Sequence, residues 1–212
     1  MRAANVAGER LGALVTQAAR DRWGLTVQFA ATRAHGNGVR NGYTDYRQLG
    51  VDRWLAIVAA VDGRDDPVCV VDAGTAVTID LVAANGEHRG GFIVPGLELM
   101  RRSLGAETGD LRRLAGETSL PADDRTLDCL LPGQPAPGKN TATAMAAGSV
   151  AALCALIDRC VESLHEGDAE PLLIMTGGDA GRLAGHVGQA AQLRPQLVLE
   201  GLARYDFSEP AG

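Results

Sequence analysis

The spacing of apolar positions along the chain changes several times, and each change predicts an element. From Glu9 to Arg22, Leu11, Leu14, Val15 and Ala18 recur at helical intervals, and Gly24 follows as a stop. Leu25 to Ala30 reads as a strand. Ala31 to Gly42, with three glycines and two asparagines, reads as a loop. Asp52 is placed to cap a helix running through Trp54, Leu55 and Val58 to Val61. The polar, turn-rich stretch Asp62 to Pro67 marks a boundary, so two subdomains are expected, 1–66 and 67–212. Cys69 to Val71 is a buried strand. Gly74 turns the chain into a second strand, and Asn85-Gly86 signals a hairpin before Gly91 to Val94. Pro95-Gly96 ends that strand, and Leu97 to Leu104 resumes a helix. Ala115 to Lys139, with four prolines, is irregular. Thr141 to Leu164 is a long Ala-rich helix whose Ala147, Val150, Ala151, Cys154 and Ile157 form an apolar face. Leu172 to Met175 is a short strand, Thr176-Gly177-Gly178-Asp179 turns into a helix, and Leu197 to Leu199 is the last strand. Helices alternating with strands point to an α/β fold.

Composition narrows the classes of function. A chain of 212 residues can bury a real core as one large domain or two small ones. The net charge of −6, with no basic run, argues against nucleic-acid binding and says nothing of small substrates. No apolar stretch is expected to span a membrane. The opening Met1 to Gly12 lacks the long apolar segment of a secretory signal. Cys69, Cys129, Cys154 and Cys160 form no C-x-x-C pair. Three sit in apolar runs and read as buried thiols, and Cys129 lies in the less regular stretch. A reducing cytoplasm is the expected compartment. His35, His88, His165 and His186 are scattered without ligand spacing and read as surface or core residues rather than metal ligands.

Candidate chemistry concentrates in four places. At Asp72-Ala73-Gly74-Thr75, a strand end carries a carboxylate, a turn with uncovered backbone N–H groups, and a hydroxyl. That set suits a phosphate with its counter-ion, and it is equally the set of an ordinary hairpin turn. The second place is Asn41-Gly42-Tyr43 followed by Gly50-Val51-Asp52-Arg53-Trp54, with a carboxylate and a guanidinium side by side at a helix start. Asp52 could cap the helix while Arg53 is a solvated charge. Alternatively, Asp52 accepts a proton from a hydroxyl while Arg53 binds an acidic substrate group. In the third place, Lys139-Asn140-Thr141-x-Thr143, at least one residue is expected to be the N-cap of the long helix. The fourth, Thr176-Gly177-Gly178-Asp179, lets a flat ring or a phosphate approach the backbone, as do many α/β turns with no ligand.

Taken in order, GVDRW, DAGTAVTID, GGFIVPGLELMRRSL, KNTATAMAAG and TGGDA resemble the type III pantothenate kinases, whose relatives include the Bvg accessory factor proteins. The resemblance covers nearly the whole chain. It implies the α/β fold of the acetate and sugar kinase, heat-shock ATPase and actin superfamily: two ribonuclease-H-like subdomains with ATP bound between them, the first here incomplete. It implies ATP-dependent phosphorylation of pantothenate to 4'-phosphopantothenate, the first committed step of coenzyme A synthesis. A divalent metal such as Mg2+, a monovalent cation such as K+ or NH4+, and a homodimer come with it. Phosphoryl transfer needs positioning, cations on the phosphates and a base for the hydroxyl, which agrees with the residues present.

By the same resemblance, Asp52 is the catalytic base, and Gly50, Val51 and Arg53 complete its substrate-binding motif. Tyr43 corresponds to an aromatic residue in contact with substrate. Thr141 corresponds to a substrate-binding threonine near the dimer interface. Asp72 corresponds to the monovalent-cation ligand, and Thr75, with Gly74, to the ATP-phosphate turn. Gly177 and Gly178 correspond to the adenosine motif. One departure stands out. The family's first phosphate motif, Asp-x-Gly-Asn-Ser/Thr at the end of an opening strand, has no counterpart here, and Met1 to Gly8 resembles an interior segment of the family's first half. The expectation is a mis-assigned start, with an exposed sheet edge and poor activity for the chain as written. Two readings stay open: a pantothenate kinase, or a catalytically weak member acting as an accessory or regulatory binding protein.

Overall fold

The computed structural model describes residues 1–107, 137–165 and 169–208. Contacts group them into two units. The first holds Met1–Val68, Asp80–Gly90 and Gln196–Gly212, and the second holds Cys69–Ile79 and Gly91–Pro195. This differs from a single cut at 66/67, because the 80–90 segment and the last helix go with the first unit.

In the first unit, β1 (Arg2–Ala3) pairs in parallel with β2 (Gln28–Phe29), and α1 (Glu9–Trp23) runs between them. The strand expected over 25–30 is thus only two residues long. Helix α1 stops as its sequence dictates. Gly24 takes a left-handed φ of 63°, its N–H bonds Arg20 O at 2.9 Å, and Leu25 N bonds Ala19 O at 3.2 Å. Its expected apolar face is not the buried one: Leu11, Leu14 and Ala18 are exposed, and Gly12 and Ala19 are buried. The segment read as a loop contains a small antiparallel hairpin, β3 (His35–Gly36) and β4 (Val39–Arg40). Its turn residues Asn37 and Gly38 have φ of 50° and 78°, the two positive values of a type I′ turn.

Helix α2 (Val51–Val61) begins at Gly50 rather than Asp52, and every residue except Asp52 is buried. An apolar helix of this kind must be covered all round. Part of that cover is a helix over Leu197–Arg204, whose first turn is the Leu-Val-Leu run expected to be a strand. A three-residue apolar run fits either element, and the deciding residue lies further on. Gly201 has no side chain, and a Cβ there would overlap the Leu55 carbonyl of α2. Close helix–helix approach therefore sets the conformation.

A five-stranded sheet is ordered β7-β6-β5-β8-β9, comprising β5 (Val68–Ala73), β6 (Ala76–Val82), β7 (His88–Pro95), β8 (Leu172–Thr176) and β9 (Ala191–Leu193); all of it falls in the second unit except Val68, Asp80–Val82 and His88–Gly90. β9, not Leu197–Leu199, is the last strand, and it pairs in parallel with β8, with Leu173 opposite Ala191. β5 is apolar and buried up to Asp72, as expected of a central strand. Helices α3 (Leu97–Glu107), α4 (Thr141–Glu162) and α5 (Ala180–Ala184) complete the unit, and the Leu197–Arg204 helix of the first unit is α6. Asn140 caps α4, accepting from Thr143 N at 2.9 Å, while Thr143 Oγ1 accepts from Asn140 N at 3.2 Å. At 22 residues α4 has the length and apolarity of a membrane span, contrary to expectation. Yet Ala147, Val150, Cys154 and Ile157 are buried, and Asp158 and Arg159 lie within it, which is the make-up of a core helix. Cys69, Cys154 and Cys160 are buried and form no disulfide. Cys129 and most of the Ala115–Lys139 stretch lie outside the described residues.

Candidate active site

Within the first unit, Arg53 is the hub of a buried polar cluster. It occupies the first turn of α2 and is 7% exposed. Its Nε donates to Asp80 Oδ2 at 2.9 Å and its Nη2 to Asp80 Oδ1 at 2.7 Å. This is the bidentate fork that a guanidinium makes best. Nη1 donates to the Tyr43 hydroxyl at 2.9 Å. Asp80, on β6, is 2% exposed and also meets His88 Nε2 at 2.9 Å. Burial alone would lower the Arg53 pKa. The hydrogen bond and charge of Asp80, with those of Tyr43, outweigh it and hold the guanidinium above its ordinary value. Arg53 is therefore a paired, buried charge and not a solvated one.

Asp52 sits beside this cluster and is half-buried. It does not cap α2, since Gly50 holds that place, but its Oδ1 accepts the Arg53 backbone N–H at 2.8 Å. One of the helix's unpaired donors is met in this way. A Cβ on Gly50 would begin 2.5 Å from the same Oδ1, so the glycine gives the carboxylate room. An open cavity of about 590 Å3 adjoins Gly50 and Val51, and its walls include Thr32 and Arg47. The structure thus gathers Tyr43, Gly50, Val51, Asp52 and Arg53 into one neighbourhood.

Within the second unit, β5 and β8 are neighbours, and two of the expected motifs meet at their ends. Asp72 is the last residue but one of β5, followed by the turn at Gly74 and the exposed Thr75. Gly74 N bonds Ala76 O at 3.0 Å, and Gly96 N bonds Thr75 O at 2.9 Å. Thr176-Gly177-Gly178-Asp179 leaves β8 and leads into α5, and Asp179 N bonds Ala73 O at 2.9 Å. Gly177 has φ +93°, and a Cβ there would begin 2.5 Å from Ala73 O and 2.6 Å from Asp72 Oδ1. Only glycine fits against the first turn here, for both its backbone angle and its bulk. Asp72, Gly74, Thr75, Gly177 and Gly178 therefore form a second neighbourhood of glycine backbone, one hydroxyl and one carboxylate, in which the Gly74 N–H, expected to be uncovered, is taken by Ala76 O. Thr141 is the exposed first residue of α4, and no described contact joins it to either group.

The half-buried Asp72 carboxylate and the Ala73 carbonyl both face Gly177, two oxygens of the kind that a monovalent cation takes. For a divalent cation, no group of three or more His, Cys, Asp or Glu side chains able to hold it occurs among the described residues. Magnesium in phosphoryl transfer is bound largely by substrate phosphates and water, and no residue is assigned to it here.

Sequence reasoning missed Asp80 and His88. The signal for Asp80 was present: a carboxylate inside the apolar strand Ala76–Val82 is costly to bury without a cationic partner. His88 gave no such signal, since its partner is set by the hairpin.

Comparison with known proteins bears on the whole assembly. The family model for type III pantothenate kinase matches residues 1–163. The type III pantothenate kinase of Alkalilimnicola ehrlichii is 41% identical over 187 residues, spanning 87% of this chain and 69% of that protein. That of Azotobacter vinelandii is 42% identical over 184 residues, 86% of this chain and 69% of its own. That of Nitrosococcus oceani is 34% identical over 209 residues, 95% of this chain and 73% of its own. Among solved structures, a Campylobacter jejuni protein described as a Baf family transcriptional activator matches with a TM-score of 0.56 and 24% identity, over 93% of this chain and 77% of that one. That likeness supports the expected α/β fold. With relatives this similar over this much of both sequences, the chain belongs to the type III pantothenate kinase family.

Proposed function

We propose that this protein transfers the γ-phosphoryl group of ATP to the primary hydroxyl of pantothenate, giving 4'-phosphopantothenate and ADP on the route to coenzyme A. The observation that carries this reading is the match of residues 1–163 to the family, together with relatives bearing that activity in their names. Nothing in the fold or the comparisons favours the alternative of an accessory binding protein.

In this reading Asp52 is the general base. Its carboxylate accepts the hydroxyl proton as the hydroxyl oxygen forms its bond to the γ-phosphorus. The bond from that phosphorus to the bridging oxygen breaks, and ADP leaves with the electron pair. Gly50 and Val51 support this role by bordering an open cavity, Arg53 by the bond of its backbone N–H to Asp52, and Tyr43 by its bond to the Arg53 guanidinium. Asp72 holds the monovalent cation, which supplies positive charge near the phosphates. Thr75 and Gly74 contact those phosphates, and Gly177 and Gly178 leave the backbone open to adenosine. Thr141 contacts pantothenate near the interface of a homodimer. The compartment is the cytoplasm, in keeping with three buried cysteines outside any disulfide.

Phosphorus NMR of the purified protein with ATP, magnesium, potassium and pantothenate tests the reaction. A phosphomonoester resonance rising with ADP is expected. ATP left unconsumed in the presence of pantothenate would overturn the reading. Sedimentation at micromolar concentration is expected to give two chains.

A further inference from the structure

The tie between Asp80, His88, Arg53 and Tyr43 does more than neutralise a buried charge. Arginine carries donors only, so in the 2.9 Å bond from Arg53 Nη1 the Tyr43 oxygen is the acceptor. The phenol's own hydrogen must therefore point elsewhere. Tyr43 is half-buried, and its ring lies on His88, 13° from parallel with centroids 5.9 Å apart. His88 is wholly buried and touches both ends of the arrangement. Its Nε2 meets Asp80, and its Nδ1 receives the Gly42 N–H at 3.4 Å. The neutral ring with its hydrogen on Nε2 satisfies both contacts. Gly42 is pressed so closely on the His88 carbonyl that any side chain there would overlap it. The loop carrying Tyr43 is thus pinned at its backbone, at its ring and at its hydroxyl.

We propose that Asp80 and His88 are positioning residues: acting through Arg53, they fix the Tyr43 hydroxyl so that its hydrogen is offered to an oxygen acceptor of pantothenate. The proposal rests on the reading of Tyr43 and Asp52 as part of the pantothenate site. It also gives Arg53 a different part from that of a free cation. Its charge is balanced at 2.7 Å by Asp80, so it orients a neutral donor. A purely structural ion pair would contribute to stability without any link to Tyr43.

A double-mutant cycle on the active enzyme separates the two. Tyr43→Phe removes one hydrogen bond to substrate and should raise the KM for pantothenate roughly 10-fold, leaving the KM for ATP within about twofold. His88→Ala should raise the pantothenate KM by a similar order. In the Tyr43→Phe background it should add less than about twofold, because both changes remove the same donor. His88→Gln, whose amide N–H can reach Asp80, should restore most of the loss. Should His88→Ala not fold, His88→Leu fills the volume and serves in the same cycle. Multiplicative losses, or equal shifts in both KM values, would overturn the positioning role alone. A wild-type protein that does not phosphorylate pantothenate would overturn the functional reading, and this one with it.

Discussion

Asp80 grips Arg53 at two points, 2.9 Å from Nε and 2.7 Å from Nη2, with both side chains almost fully removed from solvent. The pair ties a strand residue to the first turn of α2, beside Asp52. Its energetics differ in kind from those of the other ion pairs. Arg204 and Asp62 also meet, at 2.6 Å, but both side chains are more than a third exposed. Asp80→Ala leaves a buried charge without its partner and is expected to lower stability by about 3–5 kcal/mol. Asp62→Ala is expected to cost under about 1 kcal/mol. Urea unfolding of the two variants checks this, and equal losses would contradict it.

Gly177 is the second point of close fit. With φ +93° and its missing side chain facing Ala73 O and Asp72 Oδ1, Gly177→Ala is expected to cost about 1–3 kcal/mol and to displace Asp72. Gly181, on α5 with open space around it, is the control: Gly181→Ala should be neutral or stabilising by up to about 1 kcal/mol. Thermal melts and nucleotide-binding titrations of both variants provide the comparison. A harmless Gly177→Ala would remove the argument that the two turns are matched.

The cation role of Asp72 makes a separate forecast. Turnover should rise with added potassium, and Asp72→Ala should abolish that dependence along with most activity. Thr75→Val should weaken ATP use while leaving pantothenate binding nearly unchanged. A rate that ignores potassium across a full titration would count against Asp72.

What could be read in advance was what the chain decides locally. Gly24 stops α1 and Gly86 turns β6 into β7, both through a left-handed backbone, and the side chains of Asn140 and Thr143 start α4, each visible in a few residues. Asn37-Gly38 carries the same hairpin signal as Asn85-Gly86, but its flanking strands are only two residues long, too short to show an alternating pattern. Leu197 to Leu199 is helical and not the expected strand because its state depends on Gly201 meeting Leu55, a contact between distant parts of the chain. The candidate site divides the same way. Tyr43, Asp52, Arg53, Asp72 and the glycine turns stand in short motifs. Asp80 and His88 owe their place to pairings across 27 and 8 residues that no motif spells out.

Cys154 tests the burial of α4. Burial, with the charge of Asp158 adding to it, pushes its thiol from 9.0 up to about 12. Iodoacetamide at pH 8 should leave Cys154 unmodified in the native protein and label it after unfolding, as read by peptide mass. The sign of the pH effect follows. Above 9.0 the unfolded thiol releases its proton while the native one keeps it, so this group's contribution falls as pH climbs from 9.0 towards about 12. Rapid labelling of Cys154 in the folded protein would contradict its burial.

The most direct test of the whole account compares the wild type with Asp52→Asn in single-turnover formation of 4'-phosphopantothenate, with pantothenate binding measured calorimetrically alongside. Asparagine keeps the size of the side chain and can still accept the Arg53 backbone N–H, but it cannot take a proton from the hydroxyl. The account predicts near-unchanged folding and binding with a rate lower by about 10²- to 10⁴-fold. An Asp52→Asn variant that forms product as fast as the wild type would contradict it.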